Sequence, residues 1–255
     1  MTAIPATATV FWSLLPLSVL VWAGHMLVFH AVGLGFELCD RRGAFRRFKV
    51  RRLERLTYAA ALPRVLFNQT FILLPAMWLC EKAGLAFVGS KTIGFAFAAI
   101  VLVLMTVGHD IVQYAAHRGL LHNGRFRWLR HDLHHSTGAS RAITACYMSA
   151  PDFFLTIVCP YLVPLVLIGG GTANLPFQLL VAGIGAVGGL YEHSGYDFAV
   201  GLRAATQRWF TRLPASLVSS HAHGEHHRRS RVSFSDGFGS PGLCDLIFRT
   251  RWDLR

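Results

Sequence analysis

Two boxes of the form His-x-x-His-His carry most of the chemistry open to this chain: His131, His134 and His135, then His223, His226 and His227. Imidazole is a borderline ligand that suits zinc, copper, iron and nickel. Residues three and four apart share a helix face. The first and last imidazoles of each box therefore converge on one point, while the adjacent histidine, turned by about 100°, addresses a neighbouring one. Such a box serves two nearby ions more naturally than one. His117 and His122 form a further pair, five apart and slightly off one face, again suited to two nearby ions, and His193 stands alone. A structural zinc takes four ligands and a catalytic one three, so nine imidazoles are too many for one ion. Two metals, each with about four or five imidazoles and room for an exogenous ligand, fit the number.

Other residues near the boxes suit an outer role. Asp110, Tyr114 and His117 are spaced four and three apart and share a helix face, so Asp110 is placed to accept the remaining N–H of a ligating imidazole and fix its tautomer. Asp197, four after His193, and Glu225, inside the last box, are candidates for the same role, as are His109 and His221 beside the pattern. The five cysteines are scattered with no C-x-x-C pair, which argues against a disulfide framework or a cysteine zinc site. No Ser-His-Asp arrangement stands out.

The elements that must position these groups are apolar. The chain is 53% hydrophobic and only 15% charged, against about 25% charged in an ordinary soluble domain; this excludes intrinsic disorder and argues against a water-soluble enzyme. Five apolar blocks run roughly over 9–34, 58–80, 92–108, 150–169 and 175–191, each long enough for a spanning helix. The first lacks the basic start of a cleavable signal peptide. The last is Gly-rich, which suits close helix packing, and the turn 169–174 makes the fourth and fifth an antiparallel hairpin. Arg64 and Asp152 sit inside or at the edges of these blocks, where an ionisable group is costly and often functional.

Basic residues fall between alternate blocks: eight in 41–55, five in 109–141 and nine in 192–255, against only Lys82 and Lys91 on the opposite side. With five spans these segments share one side, which the positive-inside rule makes cytoplasmic. The net charge of +12 then reflects membrane topology and not nucleic-acid binding. Eleven of the thirteen histidines lie on that side; His25 and His30 are in the first block. The expected fold is all-α: a polytopic membrane protein with about four to five transmembrane helices and a cytoplasmic helical cap carrying a histidine-rich dimetal site, with the active site and C-terminus inside.

The residues resemble the fatty acid hydroxylase (sterol desaturase) superfamily of membrane-bound histidine-box di-iron oxidases. Asp110-Ile-Val-Gln-Tyr114-Ala-Ala-His117-Arg118-Gly-Leu-Leu-His122 is similar to its first box, Trp128-Leu-Arg-His131-Asp-Leu-His134-His135-Ser136 to its second, and His223-Gly-Glu-His226-His227 to its last. His193-Ser194-Gly195-Tyr196-Asp197 is similar to a further element that contributes one ligand, and Gly239 followed by Cys244-Asp245-Leu-Ile-Phe248-Arg249-Thr250 to the closing motif. That motif usually has Trp and Gly where this chain has Cys244 and Arg249. The resemblance covers roughly 95–251, which divides the chain into N-terminal spans with a basic loop (1–94) and a catalytic domain (95–255).

The resemblance implies two Fe ions held by His117, His122, His131, His134, His135, His193, His223, His226 and His227, with O2 as co-substrate and a lipid (fatty acyl, sterol or isoprenoid-type) hydroxylated at a C–H bond. Desaturation or sterol methyl oxidation is the alternative within the superfamily. Electrons are expected from a separate ferredoxin or cytochrome b5 type donor, since the chain leaves no room for a fused one. A zinc hydrolase is disfavoured because no histidine is followed directly by Glu, as His-Glu-x-x-His requires. A metal transporter would place ligands along a path within the spans, whereas these gather at one face.

Overall fold

The structure, a computed structural model, describes residues 15–53, 55–200, 218–237, 240 and 242–254. Gly239 of the closing motif, the start of the first apolar block, and Arg203, Arg208 and Arg212 of the last basic segment lie outside the described residues. The chain is helical, and the described residues form no strand, only an isolated bridge between Lys49 and Tyr196. In order, the helices are α1 (Leu17–Arg42), α2 (58–82), α3 (Phe95–Leu121), α4 (His131–His135), α5 (Ala150–Leu167), α6 (Leu175–His193), α7 (His221–Arg229) and α8 (Leu243–Ile247).

Four helices, α1, α3, α5 and α6, are long and apolar enough to cross a membrane. The second apolar block is also helical, but Arg64, Asn68, Gln69, Glu81 and Lys82 dilute it, and α2 is not among the four. Asn68 and Gln69 are buried: Asn68 Nδ2 donates to the Cys146 and Met148 carbonyls at 3.0 and 3.1 Å, and Gln69 meets His30 Nε2 at 3.1 Å. Polar groups inside an apolar bundle need such partners. The core is small, with Val21, Phe29, Met77, Val101, Phe153, Leu165 and Leu190 at its centre. Large apolar side chains such as Phe71, Phe95, Val103, Leu167 and Leu180 face outward, a surface that water would not tolerate over this extent and lipid would.

Local chemistry sets the helix ends. Gly43 takes a left-handed conformation (φ 64°) and its N–H closes α1 on Asp40 and Cys39. Thr57, Ser149 and Asn174 cap α2, α5 and α6 through side-chain oxygens that accept from Ala60, Asp152 and Phe177 N–H groups. α1 packs on α6 and on the last turns of α2. Glu81 near the end of α2 accepts from the Leu17 and Ser18 N–H groups, both at 2.9 Å, so α2 runs antiparallel to α1. The expected glycine-mediated approach occurs from α1: a Cβ on Gly24 would meet Leu179 of α6 at 2.2 Å, whereas Gly183 and Gly185 face open space.

The expected short connection between α5 and α6 is present, but α5 packs mainly on α3 and α6 on α1, so the two do not form a closely packed hairpin. The turn runs through Gly169, Gly170 and Gly171, all at positive φ (79°, 82° and 73°), which side chains with a Cβ rarely adopt. It is tied to the 83–94 loop by Phe87 N–H to Gly170 O (3.1 Å) and Ala173 N–H to Ser90 O (3.0 Å). Those loops form one end of the bundle. The described residues of the basic loop 43–57, α4, α7 and the described residues after α6 form the other, where the clustered histidines lie.

Candidate dimetal centre

The nine imidazoles of the sequence pattern meet at this second end in two groups: His117, His122, His131, His135 and His226 in the first, and His134, His193, His223 and His227 in the second. Within each group the potential ligand atoms lie within 4.8 Å of one another. Helical geometry explains the sorting. His131 and His135, one turn apart in α4, enter the first group while His134 points to the second; in α7, His223 and His227 enter the second while His226 points to the first. The two short helices thus exchange their odd member. α6 delivers His193 from its last turn.

His117 and His122 depart from expectation, because both join the first group and do not serve two ions. The pair is also further off one face than expected, since residues five apart in an α-helix diverge by about 140°. Here α3 ends in a π turn over His117–Leu121, closed by His122 N–H to His117 O at 3.0 Å. An i→i+5 turn makes residues five apart neighbours, and the spacing becomes productive.

The ring nitrogens show what the first group lacks. His117 Nδ1 donates to Phe234 O (2.7 Å), His226 Nδ1 to Val232 O (2.8 Å) and His131 Nδ1 to the Asp152 carboxylate (2.9 and 3.0 Å). Carbonyl and carboxylate oxygens only accept, so each Nδ1 carries the proton and each neutral ring leaves a bare Nε2 lone pair. The bare Nε2 atoms of His117 and His131 face each other at 2.9 Å; His135 Nε2 lies 3.1 Å from His131 Nε2 and 3.0 Å from His226 Nε2, which is 3.2 Å from His122 Nε2. Burial above all, reinforced by neighbouring imidazoles, pushes the pKa values of His122, His131 and His226 down, and that of His135 to about 4. No proton bridges His117 to His131. Facing lone pairs repel unless a cation lies between them. Two nitrogens held about 2.0–2.1 Å from one ion at right angles are about 3.0 Å apart, so the spacing fits.

The second group points the same way. Both nitrogens of His227 are buried without a hydrogen-bond partner, a state that costs about 1–3 kcal/mol per group unless something else coordinates it. His223 Nε2 and His193 Nε2 are 2.7 Å apart, and the His193 Nδ1 meets the Thr144 hydroxyl at 3.3 Å. Burial holds His134, His223 and His227 well below the ordinary imidazole pKa. Nine neutral nitrogen donors in two clusters fit a pair of transition-metal ions.

Three residues outside the boxes hold them in place. Asp152, in the first turn of α5, orients His131 and also accepts from the Thr156 hydroxyl at 2.9 Å. Asp245 accepts the Phe234, Ser235 and Asp236 N–H groups at 3.0, 2.7 and 2.9 Å, which fixes the loop whose Phe234 carbonyl orients His117. Arg51 donates to the carbonyls of Ala139 (2.8 Å), Glu192 (2.6 Å) and Ser220 (3.2 Å), and so ties together the segments that carry α4, His193 and α7. Gly195 (φ 76°) and Gly224 leave it room: a Cβ would come within 2.5 Å of the Arg51 carbonyl at the first and 1.9 Å of its guanidinium at the second.

The acids expected in the outer role sit elsewhere. Asp110 accepts from the Ser235 and Ser240 hydroxyls (both 3.1 Å) and from the Leu243 and Cys244 N–H groups (2.8 and 3.0 Å), anchoring the C-terminal segment to α3. Tyr114 stacks on Phe248 at 5.1 Å and bonds Thr250 at 3.3 Å, in the same anchor. Asp197 accepts from Ala199 N–H and the Ser219 hydroxyl, both at 3.0 Å. Glu225 pairs with Arg228 and Arg229, which hold its carboxyl below the ordinary range. His109 and His221 belong to neither group, and His221 packs edge-on against Trp252 at 4.4 Å.

No curated protein and no solved structure matches the chain. Residues 102–250, more than half of the chain and all nine clustered histidines, match the family model described as fatty acid hydroxylase. With apolar helices leading to this cluster, the chain belongs to the fatty acid hydroxylase family.

Proposed function

We propose that the protein is a membrane-bound di-iron oxidase that uses O2 to hydroxylate a C–H bond of a lipid. One observation carries this reading: bare imidazole nitrogens face one another in two adjacent buried groups, in a chain of a lipid-oxidising family. Irons bound to the two groups would supply the reduction of O2 and the oxidising power to take hydrogen from an unactivated carbon. The chain's own residues do the rest. Phe234, Val232 and Asp152 keep the protons of His117, His226 and His131 on Nδ1, so that Nε2 remains a ligand. The apolar helices offer a lipid a path from the bilayer and keep water off the reacting centre.

The basic loop 43–57 at the histidine end favours the cytoplasmic side for the site. The same charge suits an acidic electron donor of ferredoxin or cytochrome b5 type, with salt-dependent association. Purified protein is expected to hold about two irons per chain, in keeping with four or five imidazoles for each. Lipid extracts from cells carrying the gene should contain a species heavier by one oxygen atom that disappears with His134→Ala. A species lighter by two hydrogens would mean desaturation. One zinc per chain with unchanged lipids would overturn the proposal.

A further inference from the structure

A cavity of about 320 Å³ opens beside the first histidine group, lined by Arg118, His122, Ser230, Arg231, Phe234 and Thr250. Within the first group His122 and His135 are half-buried, and His122 forms part of the cavity wall. Arg118 is held in place: its guanidinium donates to the Tyr114 hydroxyl and lies over the rings of Tyr114 and Phe248 at 5.5 and 5.9 Å. Neither Arg118 nor Arg231 pairs with an acid among the described residues. Two guanidinium groups meeting at one cavity attract an anion, and guanidinium geometry suits carboxylate and phosphate oxygens.

The surroundings say what carries that anion. α8 is fastened through its Leu243 and Cys244 N–H groups to Asp110, seven residues before His117. At 1.5 Å per residue this sets the start of α8 about 10 Å further into the bundle than the histidines, and the helix runs back towards them, ending with Phe248 against Tyr114 and Arg118. Its outer face is nevertheless apolar and exposed: Leu246 by 51%, Ile247 by 70% and Phe248 by 54%, with Ile111 of α3 exposed by 53%. Such an apolar face, continuous with the outward side of a membrane-length helix, suits lipid. The arginine cavity therefore stands at the boundary between this apolar face and water, where the head of an amphiphile lies.

We propose that Arg118 and Arg231 seat the anionic head, carboxylate or phosphate, of an amphiphilic lipid substrate, with its chain lying on the apolar face of Leu246, Ile247 and Phe248. Ser230 also lines the cavity, with its hydroxyl 3.5 Å from His135 Nδ1. This rests on the oxidase reading for the word substrate, but binding needs neither O2 nor reductant and is measured apart from turnover.

The test uses the full chain in nonionic detergent with three radiolabelled probes: palmitate, hexadecyl phosphate and hexadecanol. At least one anionic probe should bind more tightly than the alcohol. Arg118→Gln with Arg231→Gln should weaken it about tenfold or more, as expected for losing charge-assisted hydrogen bonds, with hexadecanol binding and metal content unchanged. Arg231→Gln alone, at an exposed position, should show a smaller loss of the same kind if the double variant misfolds. Preference for palmitate or for hexadecyl phosphate identifies the head. Equal binding of all three probes, or anionic binding that survives both substitutions, overturns the proposal. So does a double variant that binds lipid normally but is reduced more slowly by an acidic donor protein, since the arginines would then serve that partner. Loss of iron or product with intact anion binding would instead count against the oxidase reading alone.

Discussion

His117 and His131 reach the same tautomer by different means, one through the Phe234 carbonyl and one through the Asp152 carboxylate. A carboxylate raises the basicity of the ring it holds more than a carbonyl does, and removing such a partner typically costs about 10–100-fold in metal affinity. Asp152→Asn is therefore expected to weaken metal binding at the first group by that factor and to leave the second group loaded, as read by chelator competition on purified protein. Equal loss from both groups would show that Asp152 acts through folding and not through His131. The sequence marked Asp152 only as an ionisable residue at a helix edge. Its partner lies 21 positions away on another element, and no spacing rule connects them.

At the scale of elements, the π turn over His117–Leu121 is what makes a five-residue spacing useful. Removing one residue from a π turn restores α-helical phase. Deleting Gly119, whose Cβ position faces open space, leaves His122 four after His117 on one α-helical face and should keep it in the first group. Inserting an alanine after Gly119 instead sets the pair six apart, off both repeats, and should turn His122 away and weaken metal binding at the first group. Retention of both ions by the insertion variant would show that the ring finds the site without the turn. The boxes were legible because their three- and four-residue spacings coincide with helical neighbours in the helices that formed. The His117–His122 pair was not, because a π turn has no compositional signature.

For the whole molecule, the basic loop is more than a topological marker. Lys49 is bound to Asp40 (2.6 Å) and to the Ser140 and Ser194 carbonyls (3.0 and 2.7 Å), and Arg51 gathers three further carbonyls. The N-terminal part of the chain is thereby stitched to the segments that present the second histidine group. Arg51→Met would leave those carbonyls without a donor, at a cost of roughly 3 kcal/mol or more. A lower thermal midpoint in detergent is expected, together with loss of metal from the second group before the first. An unchanged midpoint would mean that water replaces the guanidinium.

Composition and histidine spacing by themselves determined the apolar environment, the helical class and the two His-x-x-His-His boxes, because apolar length and i,i+4 geometry are local properties of the chain. Tertiary structure alone decided how the two boxes, His117, His122 and His193 combine into two groups, and that Asp110 anchors the C-terminal segment while Asp152 orients a ring. It also decided that one arginine among eight neighbouring basic residues is an internal clamp. The physical reason is common to all three. A carboxylate or guanidinium takes whatever partner the packed chain brings to it, and in this protein those partners come from 21 to 169 positions away.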